Sequence, residues 1–475
     1  MNKHLIIISL GRLSQMIIMF ITYRVLSTVL SVPEMGIYYF LLSISAAFGL
    51  IYANPIGMYA NRMLHGWQDH GVMIRNLKTI VNSFFVGSLL TVPLLFIFKE
   101  KISLDNHNWL FLVGVLVFYV FSTTFNGTLV PSLNLLGFTN QFVIWTLVTN
   151  SLGLLLSYLL VTFVSSDPLY WLIGQGISFT FCGIVAYGIL LSKIKDNPEH
   201  VSVVKPHNRL SRVAKFALPI VITNLAVWVL GQSFRFFYKE NIDLTMLGEL
   251  AFGLGLATSL SVAVEYLFQQ LYFPDFYRQI NSSTSKKDVV WNQLLNKLTT
   301  PYIYFTAFLI GLSPFILRVL ADVKFKNSGK FLALGALVEL LRMSGNVFTM
   351  ATQSEMKTHK AIGPYLTGGA LTLLGIIYIS HHPEYVAYTP LVLMIGYLAA
   401  LTFLIISVGK IIQIRLDLFK LLKTILVSLI FITGLIFSQY SDSLGLSILI
   451  NTLYGLVLLY LLYRSYVQAK TIEAL

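Results

Sequence analysis

Apolar runs of about 18 to 25 residues recur about fourteen times along this chain, with short polar connections between them, from Leu5 almost to Leu475. A hydrocarbon layer about 30 Å thick is crossed by about 20 helical residues, so a chain patterned in this way folds in lipid. The bilayer core offers no water to backbone N–H and C=O groups, which makes helices the spanning element for runs of this length. The pattern therefore predicts an all-α, polytopic membrane protein with about 14 transmembrane helices. Only 11% of the residues are charged, against about 25% in a soluble domain, and no soluble domain fits between the runs.

Hydropathy places the spans near residues 5–29, 36–58, 79–98, 109–130, 141–164 and 169–191. A second set follows near 214–238, 247–272, 298–320, 331–352, 361–380 and 386–407, with two more near 420–438 and 443–464. Arg12 and Gln15 interrupt the first run and no small-residue cleavage pattern follows it, so it is expected to be an uncleaved span. The single cysteine, Cys182, excludes an internal disulfide.

Basic connections stay in the cytoplasm. With the N-terminus inside, the inner segments hold most of the Lys and Arg, among them Arg75, Lys193, Lys205, Arg278, Lys357, Arg415 and Arg464. Both termini are thus expected in the cytoplasm of a multi-pass protein. Arg318, Lys324, Lys326 and Lys330 oppose the rule, lying on the outer side with only Asp322 between them. The net charge of +13 suits contact with anionic lipid, and nucleic acid is not expected as a partner.

A basic stretch at 193–213 divides an N-terminal six-helix lobe, 1–192, from a C-terminal six-helix lobe, 214–408. Residues 409–475 add two further helices and a tail. The halves share a weak likeness: Arg24 precedes Gly36-Ile-Tyr by 12 positions and Arg235 precedes Gly248-Glu-Leu by 13. Weak internal similarity of this kind is how transporter repeats commonly show themselves.

Several short segments resemble the multidrug/oligosaccharidyl-lipid/polysaccharide (MOP) exporter superfamily, in particular its polysaccharide branch, the Wzx-type flippases of O-antigen. They are Arg24 through Glu34-Met35-Gly36, Phe216-Ala-Leu-Pro219, Ser233-Phe-Arg235 and Leu247-Gly248. The resemblance implies two MATE-like lobes around a central cavity lined by spans 1, 2, 7 and 8, in a bacterial inner membrane. It implies alternating-access export of an undecaprenyl-pyrophosphate-linked oligosaccharide, with a polysaccharide polymerase and a chain-length regulator as partners. Relatives often place an acid before the arginine that closes the first span of the second half. Here Phe234 stands there, which puts any role of that acid in doubt.

Ionisable side chains within spans are costly and face a wet cavity or a partner. Arg12, Arg24 and Arg235 are candidates for a cationic lining that receives pyrophosphate, because a guanidinium binds phosphate through a forked pair of hydrogen bonds. Snorkelling to headgroups is the alternative for Arg24 and Arg235. Glu339 and Arg342, spaced i and i+3, suit a structural ion pair. Glu265 lies in an apolar stretch and is a candidate for proton or sodium coupling, or for pairing with an arginine. Glu249 is expected to favour the N-terminus of its helix, with a place in the cavity as the other reading.

Pro55 and Gly57 near the end of span 2, and Pro219 early in span 7, are hinge candidates. Gln15, Asn150, Asn224 and Gln232 are polar enough for sugar hydroxyls or for helix-to-helix bonds. No phosphate-binding glycine loop and no His-Glu-x-x-His motif occurs, and His381-His382 lack helical metal spacing. No cofactor, metal or catalytic residue is expected, and the outer loops are too short for a membrane enzyme of polymer assembly. A MATE-like, ion-coupled antiporter of drugs or other small molecules is the alternative, and it would need an anionic cavity.

Overall fold

The computed structural model describes residues 3–102, 104, 107–194, 209–282, 287–355, 357–438 and 443–474. Among these residues there is no strand. Helix α1, Lys3–Val29, is long enough at 27 residues to span about 40 Å. Among the described residues thirteen further helical stretches, from Val32–Asp69 to Leu444–Gln468, have the length and apolarity to cross a bilayer. The chain is a multi-pass, all-α membrane protein. Lys205 and most of the basic linker lie outside the described residues.

Two compact units make up the chain, Met1–Trp228 and Val229–Leu475. In the first, α2 (Val32–Phe48) opens on a capping box: the Ser31 amide donates to Glu34 Oε2 at 2.6 Å and the Glu34 amide donates to Ser31 Oγ at 3.4 Å. This occupies Glu34, one of the residues that carry the resemblance, in local structure. Helix α2 runs on through a π-helical turn, Gly49–Ala53, into α3, Asn54–Asp69.

The second span therefore does not stop near residue 58 as hydropathy suggests. Asn54-Pro55 widens the helix instead of ending it. Pro55 has no N–H to give, and the Asn54 amide reaches back to the Gly49 carbonyl, which shifts the ladder by one residue. Helix α3 then continues with polar residues that a hydropathy window treats as loop.

Helices α4 (Met73–Ile97), α5 (Lys99–Ile102), α6 (Trp109–Leu135), α7 (Thr139–Phe163) and α8 (Pro168–Lys193) complete this unit, with the first part of α9, Arg209–Asn241. Gly137, at φ +86°, makes the tight return from α6 to α7, a conformation that a Cβ would strain. Leu64, Met73, Leu77, Phe125, Leu129 and Leu133 form the core between α3, α4 and α6.

The second unit holds the rest of α9 with α10 (Leu244–Ser282), α11 (Lys287–Leu320), α12 (Gly329–Ser354), α13 (Ile362–Ser380) and α14 (Thr389–Gly409). Then come α15 (Leu418–Ser428), α16 (Thr433–Phe437) and α17 (Leu444–Ala474). Helix α10 is the most enclosed: 72% of its apolar window is buried, against 17% for α7 and α17, whose faces are left for lipid. The last two spans pack on α11. A Cβ at Gly311 would overlap the Phe431 carbonyl, so the bare glycine is what lets that backbone approach.

The basic connection between α11 and α12 is held by its own cap and by a contact to residue Ser438. Asp322 caps the short turn Val323–Ser328, accepting from the Lys324 amide at 3.2 Å. Arg318 donates to the Ser438 carbonyl at 3.2 Å, and the Lys330 ammonium sits 4.9 Å from the Phe331 ring centre.

Candidate functional site

Inside the second unit, two apolar helices face one another with polar residues set at helical spacing. On α10 these are Thr258, Glu265 and Gln269, and on α12 they are Glu339, Arg342 and Asn346. Intervals of 3, 4 and 7 keep each set on one face, so packing α10 against α12 brings them together.

Arg342 is the hub of the cluster. Its Nε donates to Glu339 Oε2 at 2.6 Å and its terminal nitrogen donates to Glu265 Oε2 at 3.0 Å. Asn346 and Gln269 donate to Glu265 Oε1 at 2.8 and 3.2 Å, while the Thr258 hydroxyl donates to Glu339 Oε1 at 2.8 Å. Both carboxylates are about 95% buried. Every oxygen of the two acids has a donor, which is the condition for burying charge at tolerable cost.

Two carboxylates against one guanidinium leave the cluster one negative charge in excess when both acids are ionised. Tyr302, on α11, lies close enough to feel Glu265 and Arg342, and its buried hydroxyl has no hydrogen-bond partner among the described residues. Tyr365 shares a hydrogen bond with Thr349 at 3.0 Å and also lies within electrostatic reach of Arg342 and Glu265.

Arg342 thus pairs with Glu339, three residues before it, and with Glu265 on the facing helix. Thr258, Gln269 and Asn346 were not singled out from sequence; their spacing relative to the charged residues is the signal that points to them. Glu249 corrects an expectation: α10 begins at Leu244, so Glu249 sits in its second turn and accepts from Asn327 at 2.9 Å instead of serving the helix end.

The arginines expected to bind substrate occupy different surroundings. Arg12, half-buried on α1, donates to Gln15 at 2.8 Å and lies 5.9 Å from the Phe142 ring centre on α7. Arg235, buried on α9, donates to Gln232 and lies 5.2 Å from the Phe234 ring centre. In both cases a glutamine three residues away accepts a hydrogen bond from the guanidinium and orients it. Arg24 is half-buried near the end of α1.

Asn224 bonds helix to helix: its amide donates to the Leu50 carbonyl at 2.8 Å. That carbonyl belongs to the π turn, and its donor five residues on would be Pro55, which has none. Trp228 likewise donates to the Ser43 carbonyl at 2.8 Å. Pro219 lies inside α9, five residues before Asn224.

The fold is similar to that of several solved membrane transporters. The chain matches the structure of the lipid II flippase MurJ in an inward closed conformation at a TM-score of 0.66 and 16% identity, over 97% of this chain and 99% of that one. It matches an inward-facing MATE-family multidrug transporter at 0.59 and 10% identity, over 82% and 95%. A MOP-superfamily transporter from Pyrococcus furiosus, described as having a binding pocket of reversed polarity, matches at 0.55 and 12% identity, over 91% and 96%. No protein-family profile and no curated protein sequence matches the chain.

Proposed function

We propose that this protein is a flippase that moves an undecaprenyl-pyrophosphate-linked oligosaccharide, such as an O-antigen repeat unit, from the cytoplasmic to the outer leaflet of a bacterial inner membrane. The observation that carries the reading is the extent of the match to MurJ. A share of 97% leaves no room for the last two spans to fall outside, while the matches to MATE-family transporters cover 82% and 91% of this chain. The fold common to a lipid-linked substrate carrier thus covers α15 to α17 as well as the helices before them.

Arg12, Arg24 and Arg235 suit the charged part of such a cargo. A guanidinium is the side chain whose shape matches a phosphate's oxygens. With the cell interior negative, each negative charge carried outward gains about 2.3 kcal/mol per 100 mV, so no nucleotide hydrolysis is required. Alternating access then needs helices that bend, and the π turn ahead of Pro55 and Gly57, with Pro219 on α9, supplies the places. In this reading both termini are cytoplasmic, the protein forms no covalent intermediate, and a polymerase and a chain-length regulator receive the product.

The anionic cluster around Arg342 favours one addition, and it is also what a MATE-like, ion-coupled antiporter would use. In this reading Glu265 is the site for a coupled proton or sodium ion. Glu265→Gln is expected to flatten the dependence of transport on external pH and sodium while leaving the protein in the membrane. Identical ion dependence in the two forms, measured in reconstituted vesicles, removes Glu265 from coupling.

Depletion in the native cell separates the flippase from the antiporter. A flippase leaves lipid-linked oligosaccharide stranded on the inner leaflet with loss of surface glycan. Unchanged glycan together with new sensitivity to cationic drugs supports the antiporter.

A further inference from the structure

An open cleft of about 310 Å³ lies within the first unit, between the π turn with the start of α3 and the facing stretch of α6. Two glycines hollow it out. Gly49 and Gly127 stand on its walls, and nothing lies within 4 Å of the point where a side chain of either would begin. The bend that brings Gly49 and Asn54 to the opening is the ladder shift ahead of Pro55.

The polar groups in the cleft are all neutral. The hydroxyls of Thr123 and Thr124 donate along their own helix to carbonyls at Tyr119 and Val120, at 2.9 to 3.1 Å and 2.7 Å. Their donor is spent and their acceptor lone pairs remain. Asn54, with an exposed side chain, adds an amide that both donates and accepts. No lining residue is ionisable or aromatic.

These features select a ligand class. An acyl chain would strip water from hydroxyls and an amide for no return, and a charged group would find no countercharge. A sugar ring brings hydroxyls that donate to threonine oxygens and to the Asn54 carbonyl, and the cleft's volume is at the lower end of small-molecule sites, which run from about 300 to 1,000 Å³.

We propose that this cleft binds an uncharged glycosyl residue of the cargo, separately from the arginines that take its pyrophosphate. The inference rests on the flippase reading above and adds to it a place where the sugar is recognised. Helix α6, which contributes no charged residue to transport, becomes the element that distinguishes a glycosylated lipid from a bare one.

The test compares two probes on the full-length protein in nanodiscs: undecaprenyl pyrophosphate, and the same lipid carrying a neutral disaccharide. The wild-type protein is expected to bind the glycosylated probe about tenfold more tightly, the increment that one or two net hydrogen bonds supply. Gly127→Leu fills the cleft and is expected to erase that increment with the affinity for the bare lipid intact. Gly114→Leu, on the same helix at a position equally open but outside the cleft, should keep it.

Thr124→Val retains the shape of the wall without the hydroxyl and should lose a severalfold part of the increment, which keeps the question decidable if leucine at 127 prevents folding. Equal affinity of the wild type for both probes, or an increment that survives Gly127→Leu or, where that variant does not fold, Thr124→Val, overturns the sugar site. Failure of either lipid to bind at all overturns the flippase reading instead.

Discussion

Replacing Arg342 with methionine is expected to destabilise the protein by about 3–5 kcal/mol, the cost of leaving buried charge without its partner. Methionine fills much of the same space, so the loss is electrostatic: Glu265 and Glu339 would face each other with only Thr258, Gln269 and Asn346 as donors. The triple variant Arg342→Met with Glu265→Gln and Glu339→Gln should recover most of the loss, because a buried ionic network replaced whole by neutral groups is often tolerated. Thermal unfolding of the detergent-solubilised protein measures both. A melting temperature unaffected by Arg342→Met would mean that the cluster is wet and its acids need no counter-ion.

The second large effect concerns Arg12 and Arg235. Removal of either guanidinium by alanine is expected to reduce glycan export at least tenfold, since a hydrogen bond to a charged group contributes about 1.5–3 kcal/mol. Lysine at either position should restore part of the activity, as it keeps the charge and loses the fork. Surface glycan normalised to membrane abundance is the readout, because Arg235 is buried beside Phe234 and its loss also affects packing. Full export by both alanine variants would take the two arginines out of the substrate path.

Much of this architecture is legible in the sequence because a membrane converts composition directly into structure. Runs such as 141–164 and 386–407 become α7 and α14 within a few residues, since lipid dictates both helix and length. Legibility fails where helices outlast their apolar part. Helix α3 reaches Asp69, α10 reaches Ser282 and α11 starts at Lys287, all through polar residues that hydropathy counts as connections.

The ionic cluster was half legible. Glu339 and Arg342 declare themselves by spacing, but Glu265 is 77 positions from Arg342, and only the packing of α10 on α12 joins them. The cleft beside α6 was not legible at all. Thr123, Thr124 and Thr128 resemble ordinary β-branched residues of an apolar helix, and Gly127 resembles a packing glycine. Their meaning depends on the π turn opposite, which Asn54-Pro55 signals only as a break.

Outward movement of a lipid-linked oligosaccharide in vesicles containing only this protein tests the central claim most directly. With the cargo labelled on its glycan and loaded on the inner leaflet, an inside-negative potential should drive it to the outer leaflet, where an added glycosidase removes the label. The account predicts rapid loss of label with the wild-type protein and slow loss with Arg12→Ala or Arg235→Ala. Label that stays protected at the rate of protein-free vesicles, whatever the potential, would contradict it.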